Sequence, residues 1–129
     1  MKHHAKALGI ATFLILAPGL AAAGPCKDVK FSIKNSGAST IKATKIGIGG
    51  NDGTWREDVA NRQIDPNKTE KTNGRRLQKL DSGAVPGHMV LYYDKRNANI
   101  QGGWEKDKQR HVTNKVACTD GMTYSFNVQ

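Results

Sequence analysis

Between Lys68 and Lys79 the chain sets five cations, Lys68, Lys71, Arg75, Arg76 and Lys79, against a single acid, Glu70. Grouped in this way, arginine forks and lysine ammonium groups would hold phosphate, sulfate or carboxylate, with the arginines supplying direction. The competing reading is a solvated basic loop, since no aromatic residue is interleaved with the charges. A second constellation repeats itself: Gly53-Thr54-Trp55-Arg56-Glu57-Asp58 and Gly102-Gly103-Trp104-Glu105-Lys106-Asp107 both read G-x-W-x-x-D after a polar, glycine-rich stretch. An exposed tryptophan flanked by charge stacks on sugars or quaternary ammonium groups, because the ring face is apolar and electron-rich. The alternative makes each tryptophan a plug at one end of an apolar core. Trp55, Trp104 and Tyr92 are the aromatic contact candidates.

Catalytic and metal chemistry find less support. His88 and His111 have no partner at ligand spacing. Gly49-Gly50-Asn51-Asp52-Gly53 resembles one fragment of the calcium-binding Gly/Asp repeats, but a single copy cannot supply the about six to eight oxygens that calcium takes, so a turn is expected there. Neither a metal nor a cofactor is expected. His88 or His111 with Glu57 or Glu105 and an arginine would make an acid–base set of the ribonuclease kind. Against it, the chain has no G-x-S-x-G elbow, no H-E-x-x-H and no recognised nucleic-acid motif.

Two cysteines, Cys26 and Cys118, stand near opposite ends of the chain that follows the leader. In an oxidising compartment such a pair forms a disulfide. Lipid attachment at Cys26 is the competing chemistry, but Pro25 occupies the position where a lipoprotein signal carries Gly, Ala or Ser. The compartment is read from residues 1–23. Lys2 and Lys6 give a positive start, Ala7 to Ala17 form one apolar run, Pro18-Gly19 break it, and Ala21-Ala22-Ala23 fits a small-x-small cleavage site. The run is too short for an anchor, which needs about 20 apolar residues. Residues 1–23 are thus expected to be a cleaved secretory signal and 24–129 one domain, periplasmic or secreted, monomeric and without a membrane span. Cleavage would reduce the 20 basic residues to 18 against 11 acids, a net charge of +7. Such an excess favours anionic partners in the encounter step.

The elements that must position these residues read as strands. Val29, Phe31 and Ile33 alternate with Lys30, Ser32 and Lys34. Thr40 to Ile48 alternates with a slip of phase, which a bulge near Thr44-Lys45 would restore. Thr54 to Val59 predicts a third strand. From Ala60 to Gly87 large apolar residues are few, and one or two short strands with long loops are expected. There Leu77 and Leu80, at helical spacing, leave room for a helical turn near residues 74–81. Met89 to Asp94 is apolar on both faces and is placed centrally. Trp104 to Cys118 is assigned one or two hairpin arms, and Met122, Tyr124, Phe126 and Val128 alternate to the end. Short strands at intervals of about 8 to 12 residues predict an all-β, antiparallel, immunoglobulin-like sandwich of about seven strands with one disulfide. The α+β alternative carries the one short helix.

Phe31-Ser32-Ile33-Lys34-Asn35, Trp55-Arg56-Glu57 and the Ile64-x-Pro66-Asn67-x-Thr69 corner together resemble small secreted immunoglobulin-like sandwich proteins of Gram-negative bacteria. That resemblance spans about half of residues 24–129 and implies the fold and an exported location, without any activity or site residue. Residues and resemblance together favour a non-catalytic binding protein for an acidic glycan, lipopolysaccharide or an acidic protein surface, as a host-interaction or inhibitor factor. A small basic secreted hydrolase of the ribonuclease kind is the alternative.

Overall fold

A computed structural model describes residues 24–50, 53–113 and 115–129, with the backbone alone at 49, 50 and 53–58. The expected leader, Met1 to Ala23, lies outside the described residues. Alternation of apolar and polar residues produces eight strands: β1 (Pro25–Asn35), β2 (Ile41–Gly50), β3 (Gly53–Ile64), β4 (Thr69–Lys71), β5 (Arg75–Asp81), β6 (His88–Arg96), β7 (Trp104–His111) and β8 (Thr123–Val128). Among the described residues there is no α-helix, and a three-residue 3-10 turn, Gln101–Gly103, precedes β7.

The strands form two sheets packed as an all-β sandwich. In the first, β1 pairs antiparallel with β5 through its opening residues and with β4 at Ser32 to Lys34, while β8 runs parallel to it from Lys30 to Asn35. The second has the antiparallel order β3-β2-β6-β7. Between the sheets Val29, Phe31, Ile33, Tyr124, Phe126 and Val128 meet Ile41, Ile46, Ile48, Met89 and Leu91, all buried. Each buried aliphatic or aromatic side chain of this size contributes about 1.5–3 kcal/mol relative to exposure. Burial raises the Tyr124 phenol above its ordinary pKa, and its hydroxyl donates to the Val116 carbonyl at 2.7 Å.

The phase slip in β2 is a bulge. Register shifts between Ala43 and Lys45 against both neighbours, and the Thr44 hydroxyl donates to the Tyr92 carbonyl at 3.1 Å. Opposite it, β3 carries extra residues, with Ala60 and Asn61 at φ of 64° and 50°. The Ala60–Gly87 segment holds the two short strands expected of it, joined by connections shorter than the expected loops. It contains the end of β3, all of β4 and all of β5. The helical turn considered near residues 74–81 is β5: Leu77 pairs with Cys26 and Asp81 with Pro25, so a bulge there absorbs extra residues and turns both Leu77 and Leu80 inward. A spacing of three is as natural to a bulged strand as to a helix. After β7, residues 112–122 contain no strand among those described, so a second arm is not formed.

Both ends of the sandwich are pinned through β1. At its start, Cys26 bonds Cys118, with Cα atoms 6.3 Å apart. Cys118 also exchanges main-chain hydrogen bonds with the β5–β6 connection, accepting from the Gly83 N–H and donating to the Ala84 carbonyl. At its end, the fully buried Asn35 donates through Nδ2 to the Ser39 and Ile64 carbonyls at 2.8 and 2.9 Å, and its Oδ1 accepts from the Gly37 N–H at 3.0 Å. Its own main chain pairs with Asn67 and Lys68.

Two measurements test these pins. With no free cysteine among the described residues, thiol labelling of the native and of the denatured, unreduced chain should be negative. Closing a loop with a sequence separation of 92 should stabilise by at most about 4–5 kcal/mol over the Cys26→Ala, Cys118→Ala variant in denaturant melts. Asn35→Ala, which strands one buried and two half-buried backbone groups, should cost about 1–3 kcal/mol in the same assay.

Candidate functional site

Because paired residues share a face, the register of the first sheet fixes what its outer surface presents. Lys30, Ser32 and Lys34 alternate with the buried residues of β1. Ser32 is flanked by Lys71 of β4 and Ser125 of β8, Lys34 by Thr69 and Asn127, and Lys30 is in register with Thr123. The result is a flat face of ammonium groups and hydroxyls. Arg76, exposed on β5, stands opposite a bulge at Lys27 and Asp28, where Asp28 has φ of 53°. The nearby acids have partners: Glu70 pairs with Arg62 at 3.5 Å, Asp28 with Lys30 at 3.3 Å, and Asp120 accepts the Lys27 N–H at 3.0 Å.

The five cations singled out in the sequence are therefore carried on strands and a turn, not on one loop. Lys68 is exposed in the turn before β4; Lys71, Arg76 and Lys79 are exposed on strands; Arg75 is half-buried and in register with the core residue Val29. Arg75 thus differs from the others in having a structural setting. Lys30 and Lys34 belong to the same face, which local sequence did not suggest because they lie in a different segment. Their alternation with Phe31 and Ile33 was the available signal.

The outer face of the second sheet holds the aromatic candidates. Trp104 opens β7 in register with Arg96, half-buried and outside the core cluster, with the Lys42 Nζ 4.5 Å and the Arg96 guanidinium carbon 5.3 Å from its ring centre. It is not a core plug; cations over its ring hold it on the surface. Tyr92, half-buried, lies beneath the Lys45 Nζ at 5.3 Å and beside Gly47, where an added Cβ would sit 3.0 Å from the ring. Trp55 is in register with the core residue Ile48, but its side chain lies outside the described residues, as does that of Glu57. The two G-x-W-x-x-D stretches each open the return strand of a hairpin, β3 and β7, the two edges of this sheet. Asn51 and Asp52 of the glycine-rich turn lie outside the described residues.

Asp94 binds this face together. Its side chain is 7% exposed, its Oδ1 accepts the Asp107 N–H at 3.0 Å, and its Oδ2 lies 3.9 Å from Lys42 Nζ and 3.5 Å from Lys106 Nζ. Asp107, at φ of 55°, marks the β7 bulge that turns this N–H toward the carboxylate. Two lysines here are therefore partly neutralised by one carboxylate.

The acid–base set does not assemble around Glu105. That residue starts β7 in register with Lys95, whereas His111 ends the strand in register with Val90. Hydrogen bonds first from Lys108 and then from Asn97 hold the Glu105 carboxyl below its ordinary pKa. His88 and His111, by contrast, come together with ring centres 5.5 Å apart. Among the described residues no group of three or more His, Cys, Asp or Glu is placed to hold a metal ion, and no helix is long and apolar enough to cross a membrane. Comparison of the chain with family models, curated proteins and solved structures returns no match.

Asp94 separates charge from geometry. Asp94→Asn keeps an acceptor for the Asp107 N–H and should cost less than about 1 kcal/mol, whereas Asp94→Ala orphans it and should cost about 1–3 kcal/mol in urea melts.

Proposed function

We propose that this chain is an exported, non-catalytic binding domain, periplasmic or secreted, whose ligand is a polyanion and in the first instance an acidic glycan. The observation that carries the reading is the outer face of the first sheet, where Lys30, Lys34 and Lys71 stand among Ser32, Thr69, Thr123, Ser125 and Asn127, with Arg76 nearby. Spaced ammonium groups answer carboxylates or sulfates along a polymer, and hydroxyls and the amide answer its alcohols. Groups spread along neighbouring strands suit a chain-like ligand better than a small molecule, which needs a concave pocket. The net charge of +7 left by 18 basic and 11 acidic residues after cleavage steers polyanions inward from a distance. The formed disulfide and the reading of residues 1–23 as a leader support an oxidising compartment. Lipopolysaccharide and acidic protein surfaces offer related charge and are outcomes of the same assay.

Lys71→Glu with Arg76→Glu, both at exposed positions, should abolish retention on a sulfated or uronic-acid glycan at physiological ionic strength. Binding by the parent should also weaken steeply as added salt shortens the Debye length below about 8 Å. Melting temperature should barely move, since exposed substitutions shift stability within about 0.5 kcal/mol. Unchanged retention in the double variant, or retention indifferent to salt, would reject the proposal. Binding confined to lipopolysaccharide or to an acidic protein would keep the face and replace the ligand.

A further inference from the structure

We propose that His88 and His111 form an exchangeable two-histidine site for a borderline divalent transition metal, zinc or copper, on the outer face of the second sheet. The two histidines are far apart in sequence, and it is the β6–β7 pairing that joins them. Val90 is in register with His111, and His88 precedes Val90 by two residues on the same face, so the imidazoles are diagonal cross-strand neighbours. Across β2 the residue opposite His88 is Gly49, which brings no side chain to crowd the ring. Both histidines are exposed, and Val90 between the strands is buried, giving an apolar floor and an open entrance.

The spacing of the ring centres fits a shared ion. The centres are 5.5 Å apart with planes at 78°. A zinc–nitrogen bond of about 2.0–2.1 Å, extended by about 1.1 Å from nitrogen to ring centre, puts each centre about 3.2 Å from the ion, and a tetrahedral angle then separates the centres by about 5.2 Å. The observed spacing is within a few tenths of an ångström of that value, so chelation requires the rings to turn one nitrogen each toward the ion at nearly their present separation.

Chemistry selects the ion. Imidazole nitrogen suits zinc, copper and nickel, whereas magnesium and calcium take oxygen ligands, and affinity at a given nitrogen site rises toward copper. No third protein ligand joins the pair among the described residues, so the remaining positions belong to water or an incoming donor. Structural zinc sites use four protein ligands and catalytic ones three, which makes this an exchangeable site. The positive charge of the chain opposes a dication, and only the two coordinate bonds acting together overcome it. With both cysteines in a disulfide, thiolate does not compete.

The test uses the full chain with His3→Gln and His4→Gln in every sample, leaving His88 and His111 as the only two of the four histidines. Zinc alone is titrated against a colorimetric indicator while imidazole NMR signals are followed, with magnesium as control. One zinc per chain is expected, with both rings shifting together and magnesium without effect. His88→Ala and His111→Ala should each weaken binding at least about tenfold, and the double variant little further, because a chelate depends on both arms. Melts without zinc should be unchanged in all variants, and zinc should raise the melting temperature of the parent alone. Single variants that bind within twofold of the parent, rings that titrate separately, or an equal response to magnesium would overturn the site.

Discussion

Asn35 carries the constraint on which the two-sheet arrangement rests. It ends β1 at a point where the chain twice changes sheet, from β1 to β2 and from β3 to β4, and its amide reaches both crossings through the Ser39 and Ile64 carbonyls. The main chain of the same residue accepts from Asn67 and donates to Lys68 at the mouth of the second crossing. An amide can meet the orphan carbonyls and N–H of two adjacent turns at once, which no apolar residue of that volume can do. At the other end of β1 the disulfide and the paired main chain at Cys118 hold the remaining crossings. Hydrophobic burial supplies most of the stabilisation, and these two polar and covalent fastenings decide which sheet faces which.

Bulges then decide what each face shows. In a regular strand every second side chain points outward, so one extra residue exchanges the faces beyond it. The β2 bulge lets Ile41 and Ala43 face inward and still returns Ile46 and Ile48 to the core, leaving Lys42, Lys45 and Gly47 in register with Asp94, Tyr92 and Val90. The bulge in β7 turns a backbone N–H toward Asp94. Positive φ at Asp28, Asn61, Asn67 and Asp107 falls on residue types whose short polar side chains tolerate it. Ala60, at φ of 64°, is held there against its preference by the strands on either side of it.

The two outer faces differ in how their positive charge is held. On the second sheet Lys42 and Lys106 share the Asp94 carboxylate, and Lys42 and Arg96 cover Trp104, so the charge is spent on local order. On the first, cations stand among hydroxyls, and Asp28 pairs with Lys30. The first face is the one to which we assign the anionic polymer, and the second is organised around its own side chains.

Sequence alone determined the strands whose pattern is local: the alternation of β1 and β8, the doubly apolar β6, the need for a bulge at Thr44, and, through cysteine count, the disulfide. Each follows from the period-two geometry of a strand or from the chemistry of a lone cysteine pair. Tertiary structure decided the rest, because pairing between distant strands leaves no local mark. Leu77 and Leu80 leave a helical turn open in the sequence, and only the pairing with β1 makes them a bulged strand. Trp104 reads in the sequence as either a core plug or a surface contact, and its register with Arg96 puts it on the surface. Lys30 and Lys34 joined Lys71 only because β4 pairs with β1, and His88 met His111 only because β7 returns beside β6. A side chain's neighbours along a strand are written in the sequence, but its neighbours across the sheet are chosen by the fold.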